Sequence, residues 1–385
     1  MTRTAGRAGK AKRVALVIET SNAYARGLLE GIGSFLREQR LPWAVDLVEH
    51  ARGSPGDLAG WKGDGVIARL ENARVSHAVM ALGVPVVDVS SARLSPQIVP
   101  WVETDDVAIA QMAFEHLRQR GFRRFAFVGD RGFNWSRWRG EAFTSLARQH
   151  GHEVDVFDSS QKRRNLARWL RGLLPPVGLM AAYDSLAREV LQVCKAGGVA
   201  VPESVAVIGV DDDPLLCALC TPSLTSVRPD ARGAGERAAQ TLQLLMTGRA
   251  VAAVAIRIPP LGISERQSTE TLAVADQVVR QALRFIRDHA QEGIKVPDVL
   301  AGSRLSRRVF DARFLSAVGH SPADEIARCR LAAVKQLLAE TDLAIYEIAQ
   351  RTGYTHAEYL CVQFRRWFKE TPLHFRRRYR PKRAS

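Results

Sequence analysis

Cysteine is scarce and odd in number, five in 385 residues. That count argues against a disulfide framework and for a reducing compartment. Cys217 and Cys220 form a C-x-x-C, but no second pair of ligands accompanies them, so they read as free thiols. The nine histidines show no metal-ligand spacing. Long apolar runs are missing, and nothing approaches the roughly 20 residues of a membrane span. The apolar stretch behind the basic N-terminus, Val14 to Ile18, is shorter than a signal peptide's core. The expectation is a cytoplasmic protein with no membrane partner. Phosphate loops are lacking as well, since Gly27, Gly31 and Gly33 fall inside a predicted helix rather than at a strand-to-helix turn. With no nucleophile–base pair at motif spacing, the sequence reads as a binding protein with no catalytic residues, cofactor or metal.

Acidic residues are short at the two ends. Residues 276–385 hold 21 basic and 12 acidic side chains, residues 1–13 hold five basic and none acidic, and the rest is nearly neutral. A chain of this length exceeds one core. The expected division is a disordered basic tail (1–12), a ligand-binding domain (13–265), a polar linker (266–275) and a basic helical domain (276–385) suited to a polyanion.

Strands and helices alternate through the ligand-binding part. Val14–Ile18, Asp64–Ala68, Pro85–Val89, Arg124–Val128, Gly178–Ala182, Val205–Val210 and Ile256–Ile258 have the short apolar composition of buried parallel strands. Helices are expected at Ala23–Arg37, Val107–Arg120, Arg139–His150 and Gly233–Met246. The fold class is therefore α/β with two lobes of parallel sheet, followed by an all-α C-terminal domain. Ligands of such sheets bind beyond the carboxyl ends of the strands, which directs attention to the residues that follow each strand.

The C-terminal hundred residues repeat themselves at a shift of fifty. Phe310 falls on Leu360, Phe314 on Phe364, and Ser321-Pro322 on Thr371-Pro372. Each copy reads as a short helix, a turn and a longer helix. Two such helix-turn-helix units would place two helices in successive major grooves of double-stranded DNA. Pro297 suits a first helical turn, Ser306 an N-cap, and Thr355 with Glu358 a capping box. Ile326, Ala333 and Leu337 are the expected buried face of the helix joining the units. Arg307, Arg308, Asp311 and Ala312 are left on the outer face of the first unit, and Ala357, Glu358, Tyr359 and Val362, with Arg365, on that of the second. The run Arg376–Arg380 suits phosphates rather than base edges.

Ile345-Tyr-Glu-Ile-Ala349, Gly353-Tyr354, Phe364-Arg-Arg-Trp-Phe368 and Thr371-Pro-Leu-His-Phe375 resemble, in order and spacing, the DNA-binding domain of the AraC family. The family's usual first-turn glycine is replaced by Arg304, with Gly302 displaced. Residues 14 to about 265 resemble the sensing core shared by LacI/GalR repressors and periplasmic sugar-binding proteins. That likeness rests on Thr104-Asp105-Asp106, Arg124–Gly129, Arg139–Phe143, Tyr183-Asp184, Gly209–Asp212 and Thr225–Arg228. The joined arrangement is similar to that of xylose-operon regulators.

The resemblance implies a sugar-responsive transcription regulator, an activator, with D-xylose or a related pentose as effector. It also implies a homodimer and RNA polymerase as partners. It assigns sugar contacts to Asp211, Arg139 and Asp184, with Asp212 and Tyr183 beside them, and to Ser21, Asn22 and Tyr24 on the first lobe. Carboxylates accept strongly from vicinal hydroxyls, and arginine donates in a planar fork. Trp135 or Trp138 is placed to cover the apolar face of a sugar ring. The alternative is a cytosolic sugar-binding module or sugar-processing enzyme with a basic helical domain for protein partners.

Overall fold

The structure is a computed structural model that describes residues 11–379 except 49–57, 59, 91, 93–98, 161–162, 250, 252–254, 271–272 and 275. It divides into two units, residues 1–271 and 272–385. The first runs β1 (Lys12–Val17), α1 (Ala23–Glu38), β2 (Trp43–Leu47), β3 (Gly65–Ala68), α2 (Ala73–Met80), β4 (Val86–Asp88), β5 (Trp101–Thr104), α3 (Asp106–Gln119), β6 (Arg124–Gly129), α4 (Asn134–Gln149), β7 (Val154–Asp158) and α5 (Arg163–Gly172). It continues through β8 (Val177–Ala181), α6 (Asp184–Ala196), β9 (Val205–Val210), α7 (Pro214–Leu219), β10 (Thr225–Arg228), α8 (Ala231–Met246), β11 (Ala255–Ile258), β12 (Gly262–Ser264) and a 3-10 turn at Gln267–Thr269.

Two six-stranded sheets result, ordered β11-β5-β4-β3-β1-β2 and β12-β10-β9-β8-β6-β7. Among the described residues only the β10–β12 pair is antiparallel. Central strands such as β1, β3 and β9 are apolar on both faces and buried on both, as sheets covered by helices require. Each sheet is the core of one lobe, and the chain passes between lobes after β5, β10 and β11. Hydrogen bonds tie the crossings together: Asp105 N–H donates to Ile258 O at 2.9 Å and Leu261 N–H to Arg228 O at 2.8 Å.

The edge strands β2 and β7 and the short β5, β10 and β12 were not anticipated. Charged residues interrupt β2, β5, β7 and β10, β12 is only three residues long, and pairing rather than composition makes them strands. Helix α4 starts at Asn134, so Arg139 lies in its second turn rather than at its head. Nothing in the sequence marks that start, because the N-cap is Phe133 and makes no side-chain cap bond. The presumed tail reaches only to the strand that begins at Lys12, and residues 1–10 lie outside the described residues. Residues 267–269, read as linker, are a turn whose Ser268 and Thr269 are fully buried.

The second unit has seven α-helices among the described residues: α9 (Gln277–His289), α10 (Val296–Ala301), α11 (Arg307–Val318), α12 (Pro322–Glu340), α13 (Ile345–Arg351), α14 (Ala357–Phe368) and α15 (Pro372–Tyr379). It carries two apolar cores. One gathers Val279, Leu283 and Ile286 with Phe310, Phe314 and Ile326. The other gathers Leu331, Val334 and Leu338 with Ile348, Leu360, Phe364 and Phe375. Helix α12 contributes to both. Its second core uses Leu331, Val334 and Leu338, so the expected burial of Ala333 and Leu337 is corrected by one position. Among the described residues no helix is long and apolar enough to cross a membrane.

Candidate functional site

A cavity of about 500 Å³ opens between the two lobes of the first unit. The first lobe lines it with Ser21, Asn22, Tyr24, Arg69, Val89 and Thr104, and the second with Phe133, Trp135, Arg139, Tyr183, Ser185 and Asp211. These residues come from the carboxyl ends of strands or the helix starts behind them, where an open parallel sheet leaves room for a ligand. The cleft is bridged by Arg26 and Asp213, 3.7 Å apart, and by Asn134 Nδ2, which donates to Ala92 O at 2.7 Å.

Asp211 sits where β9 ends, with φ at 111°, and Asp212 follows with φ at 49°. Left-handed backbone at two successive non-glycine residues is strained and persists only when the surroundings impose it. Asp184 imposes it. Its Oδ2 accepts from the Asp213 backbone N–H at 2.9 Å and from Cys217 Sγ at 3.3 Å, and its Oδ1 accepts from Ser226 Oγ at 2.6 Å. Ser226 Oγ in turn accepts from the Asp212 backbone N–H at 3.0 Å. The Asp211 carboxylate makes no hydrogen bond to any described residue. Burial pushes its pKa up to about 6 against the pull of Arg139 and Arg69. Burial and the neighbouring Asp211 push Asp184 up to about 8.

Arg139 is buried and aimed by its partners. Its Nε donates to Asp106 Oδ1 at 2.7 Å and its Nη1 to Ala182 O at 2.6 Å, while its guanidinium lies 5.0 Å from the Trp135 ring centre. Nη2 makes no hydrogen bond among the described residues. Arg69 pairs with Glu19 and Glu71, lies 5.7 Å above the Tyr24 ring, and has a buried Nε without a partner. Burial raises the Tyr24 hydroxyl to about 12, so it is a neutral donor and acceptor. Trp135 stacks on Phe133 at 5.2 Å and meets Tyr183 edge-on at 5.4 Å, giving the cleft an aromatic wall. The arrangement offers an acceptor, two forked cations, hydroxyls and flat apolar faces, which suits a small polyol.

The structure thus brings Asp211, Arg139, Tyr183, Ser21, Asn22 and Tyr24 to one cavity. Asn22 also caps α1, accepting from Ala25 N–H at 2.8 Å, and donates to Glu19 at 2.8 Å. Asp184 and Asp212 do not line the cavity. Asp184 lies beneath the 211–213 loop with both oxygens engaged. Asp212 turns away to Ser264 Oγ at 2.6 Å and Arg266 at 2.8 Å. Trp138 lies in a separate hollow with Glu103 and Arg257. Sequence reasoning missed Arg69, Thr104, Phe133 and Ser185. Arg69 had a usable signal, since it directly follows β3.

A larger hollow, about 700 Å³, lies beside α4 and β7. Four of its charges pair with one another, Arg131 with Asp158 at 3.5 Å and Arg137 with Glu141 at 3.7 Å. The cleft, whose carboxylate has no such partner, is the better ligand site.

In the second unit α11 and α14 present matching surfaces. Phe310 and Phe314 are buried in one, Leu360 and Phe364 in the other. Arg307, Arg308 and Ala312 are exposed, as are Glu358, Tyr359, Val362 and Arg365, while Asp311 and Ala357 are half-buried. Arg307 pairs with Asp311 at 2.6 Å along the outer face. The internal repeat extends to the caps. Asp298 accepts from Lys295 N–H at 2.6 Å at the head of α10, and Glu347 from Ala344 N–H at 2.7 Å at the head of α13. Both second helices end left-handed, at Gly319 and at Lys369. The expected Thr355–Glu358 capping box is not formed. His356 is the N-cap of α14, without a side-chain cap bond. Gly302 has φ of −77°, so the first turn needs no left-handed glycine and accommodates Arg304. Arg376 is partly structural, donating to Leu343 O at 2.6 Å. The side chains of Arg378 and Tyr379, and all of Arg380, lie outside the described residues.

Arg330 of α12 joins the two helix pairs. It donates to Ala290 O at 2.8 Å and Ile294 O at 2.7 Å, and lies 5.7 Å over the Tyr354 ring. At Gly353, with φ of 76°, a Cβ would fall 2.8 Å from Ala290 O, so only glycine fits there.

Comparison with known proteins agrees with both halves. Residues 13–107 match the XylR N-terminal domain, residues 114–269 a periplasmic binding protein-like domain, and residues 301–378 a helix-turn-helix domain. The chain is 33% identical to the xylose operon regulatory protein of Escherichia coli strain K12 over 381 residues, which span 95% of this chain and 97% of that protein. It is 29% identical to the protein of that name from Haemophilus influenzae, over 94% of this chain and 98% of the relative. A solved structure of the xylose-binding transcription activator xylR superposes with a TM-score of 0.83 at 32% identity, covering 96% of this chain and 98% of that one. Relatives that match end to end are transcription regulators and not enzymes. The chain belongs to the xylose operon regulatory protein family and is a sugar-responsive, DNA-binding transcription regulator.

Proposed function

We propose that the effector is D-xylose, held in the interlobe cleft, and that its binding activates transcription. One observation carries the site: the Asp211 carboxylate faces the cavity from a strained turn, without a hydrogen bond to any described residue and beside two arginines. A ring with adjacent hydroxyls supplies hydrogen bonds to that carboxylate. Arg139 and Arg69 donate to ring oxygens, and the Trp135–Phe133 pair covers the ring's less polar face. The names of the relatives support xylose and activation. The exposed side chains of α11 and α14 read or position DNA through two helix-turn-helix units, and a homodimer presents them to paired half-sites. RNA polymerase is the expected downstream partner, and the cytoplasm, where a bacterial regulator meets DNA, the expected compartment.

Calorimetric titration of the full chain with D-xylose, D-glucose, L-arabinose and D-ribose tests this. D-xylose is expected to bind most tightly, and Asp211→Ala to abolish its binding while DNA affinity without sugar is kept. An unchanged D-xylose affinity in Asp211→Ala would remove Asp211 from the site.

A further inference from the structure

We propose that the Asp212–Arg266 ion pair is the coupling element by which sugar in the cleft is felt by the chain leading to the DNA-binding unit. The inference rests on the cleft being the sugar site. Asp211, which faces the cavity, and Asp212, which faces the exit strand, are adjacent and share one strained turn. A change in Asp211 therefore moves the backbone that carries Asp212. The Asp212 carboxylate accepts from Ser264 Oγ at 2.6 Å and forms an ion pair, without hydrogen-bond geometry, with Arg266 at 2.8 Å, both in the segment that leaves the sensor. Arg266 in turn donates to Leu224 O at 2.9 Å.

The turn that follows is anchored to the second lobe by hydrogen bonds. Ser268 Oγ donates to Val207 O at 2.6 Å and accepts from Thr225 N–H at 2.8 Å. Thr269 Oγ1 meets Thr225 Oγ1 at 2.8 Å and His116 Nε2 at 2.9 Å, and Arg120 Nε donates to Thr269 O at 2.9 Å. All of these partners belong to the second lobe's β9, β10 and α3 or the residues beside them. Thr269 is fully buried in the first unit, and Val274, 2% exposed, is buried in the core of the second. Only residues 270–273 lie between, a tether of at most about 18 Å when fully extended.

The test uses the full chain, D-xylose, and a DNA duplex selected from a random pool by the wild-type protein with D-xylose present. The coupling factor is the ratio of duplex affinities with and without saturating sugar. Factors of about 5–150 are usual for such linkage. Asp212→Asn keeps a residue that tolerates left-handed backbone and an acceptor for Ser264, but removes the charge. Arg266→Met removes the other partner. Both variants are expected to bind D-xylose within about threefold of wild type and to lose most of the coupling factor. In amide exchange, D-xylose is expected to protect Ser268 to Glu270 and α9 in wild type, and in Asp212→Asn to protect the cleft residues alone. Asp212→Asn that folds, binds sugar and couples as wild type does overturns the proposal. A wild-type chain that binds no D-xylose refutes the site itself, a result the calorimetric control separates from loss of coupling.

Discussion

Asp211 concentrates the costs that the sensing unit carries. It combines a left-handed backbone with a half-buried carboxylate that has no hydrogen-bond partner among the described residues. Its pKa is raised from 3.8 to about 6, so between those values the native state holds a proton that the unfolded chain has released. Stability conferred by that proton is present below pH 4 and is lost as pH rises through 6. Asp211→Asn cannot ionise and keeps the residue size. It should therefore stabilise the sugar-free protein at pH 7.5 by about 1–2 kcal/mol, an advantage that shrinks as pH falls from 6 to 4 and is absent below pH 4. Urea unfolding of the sensing unit's transition across pH measures this, and equal stability of variant and wild type at pH 7.5 would contradict it. The same variant should fail to bind D-xylose. Asp184 shows how far single-residue reasoning reaches. An aspartate directly after a strand could face the ligand or hold its neighbours, and only the Ser226, Asp213 and Cys217 contacts decide for the second role.

Helices α1 and α8 show the packing logic at the next scale. Three glycines, Gly27, Gly31 and Gly33, lie inside α1 rather than at a nucleotide-binding turn, and two of them serve helix contact. A Cβ on Gly31 would lie 2.0 Å from Arg232 O, and one on Gly27 2.7 Å from Ala231 Cβ. Gly235 on the other helix would meet Leu28 O at 2.1 Å. The two backbones touch, and no side chain fits between them. Gly31→Leu is expected to cost at least about 3 kcal/mol, since overpacking a contact made by backbone leaves nothing flexible to yield. Circular dichroism melts of the variant check it, and a melting temperature within 2 °C of wild type, at roughly 2–4 °C per kcal/mol, would show that the helices can separate cheaply. The α11 and α14 ends make the repeat visible element by element. One closes with Gly319 and the other with Lys369, both left-handed, each followed two residues later by the Ser-Pro or Thr-Pro that opens the next helix.

At the scale of the molecule, a nearly neutral sensor is joined to a helical unit with a surplus of nine positive charges. Binding of that unit to duplex DNA should fall steeply with salt, with a log–log slope of about −0.9 for every phosphate neutralised. Fluorescence anisotropy between 50 and 300 mM salt is the measurement. Arg308→Ala should shallow the slope by about one if Arg308 holds a phosphate, or change the preferred sequence with the slope kept if it reads a base. A salt-independent affinity would deny the unit its electrostatic role. The sequence alone determined the two-part organisation, the apolar central strands of both lobes and the two buried aromatic cores of the repeat. These follow from local pattern: apolar runs of strand length, helical spacing and residue pairs that recur at a constant interval. It also pointed to Asp211 and Arg139. Tertiary structure decided the rest. Arg69 joins the cleft, Asp184 and Asp212 leave it, and the supposed linker at 267–269 becomes a buried anchor. Which way a carboxylate turns, and which distant backbone lies beneath a glycine, depends on contacts between segments far apart in the chain, and no local pattern encodes those.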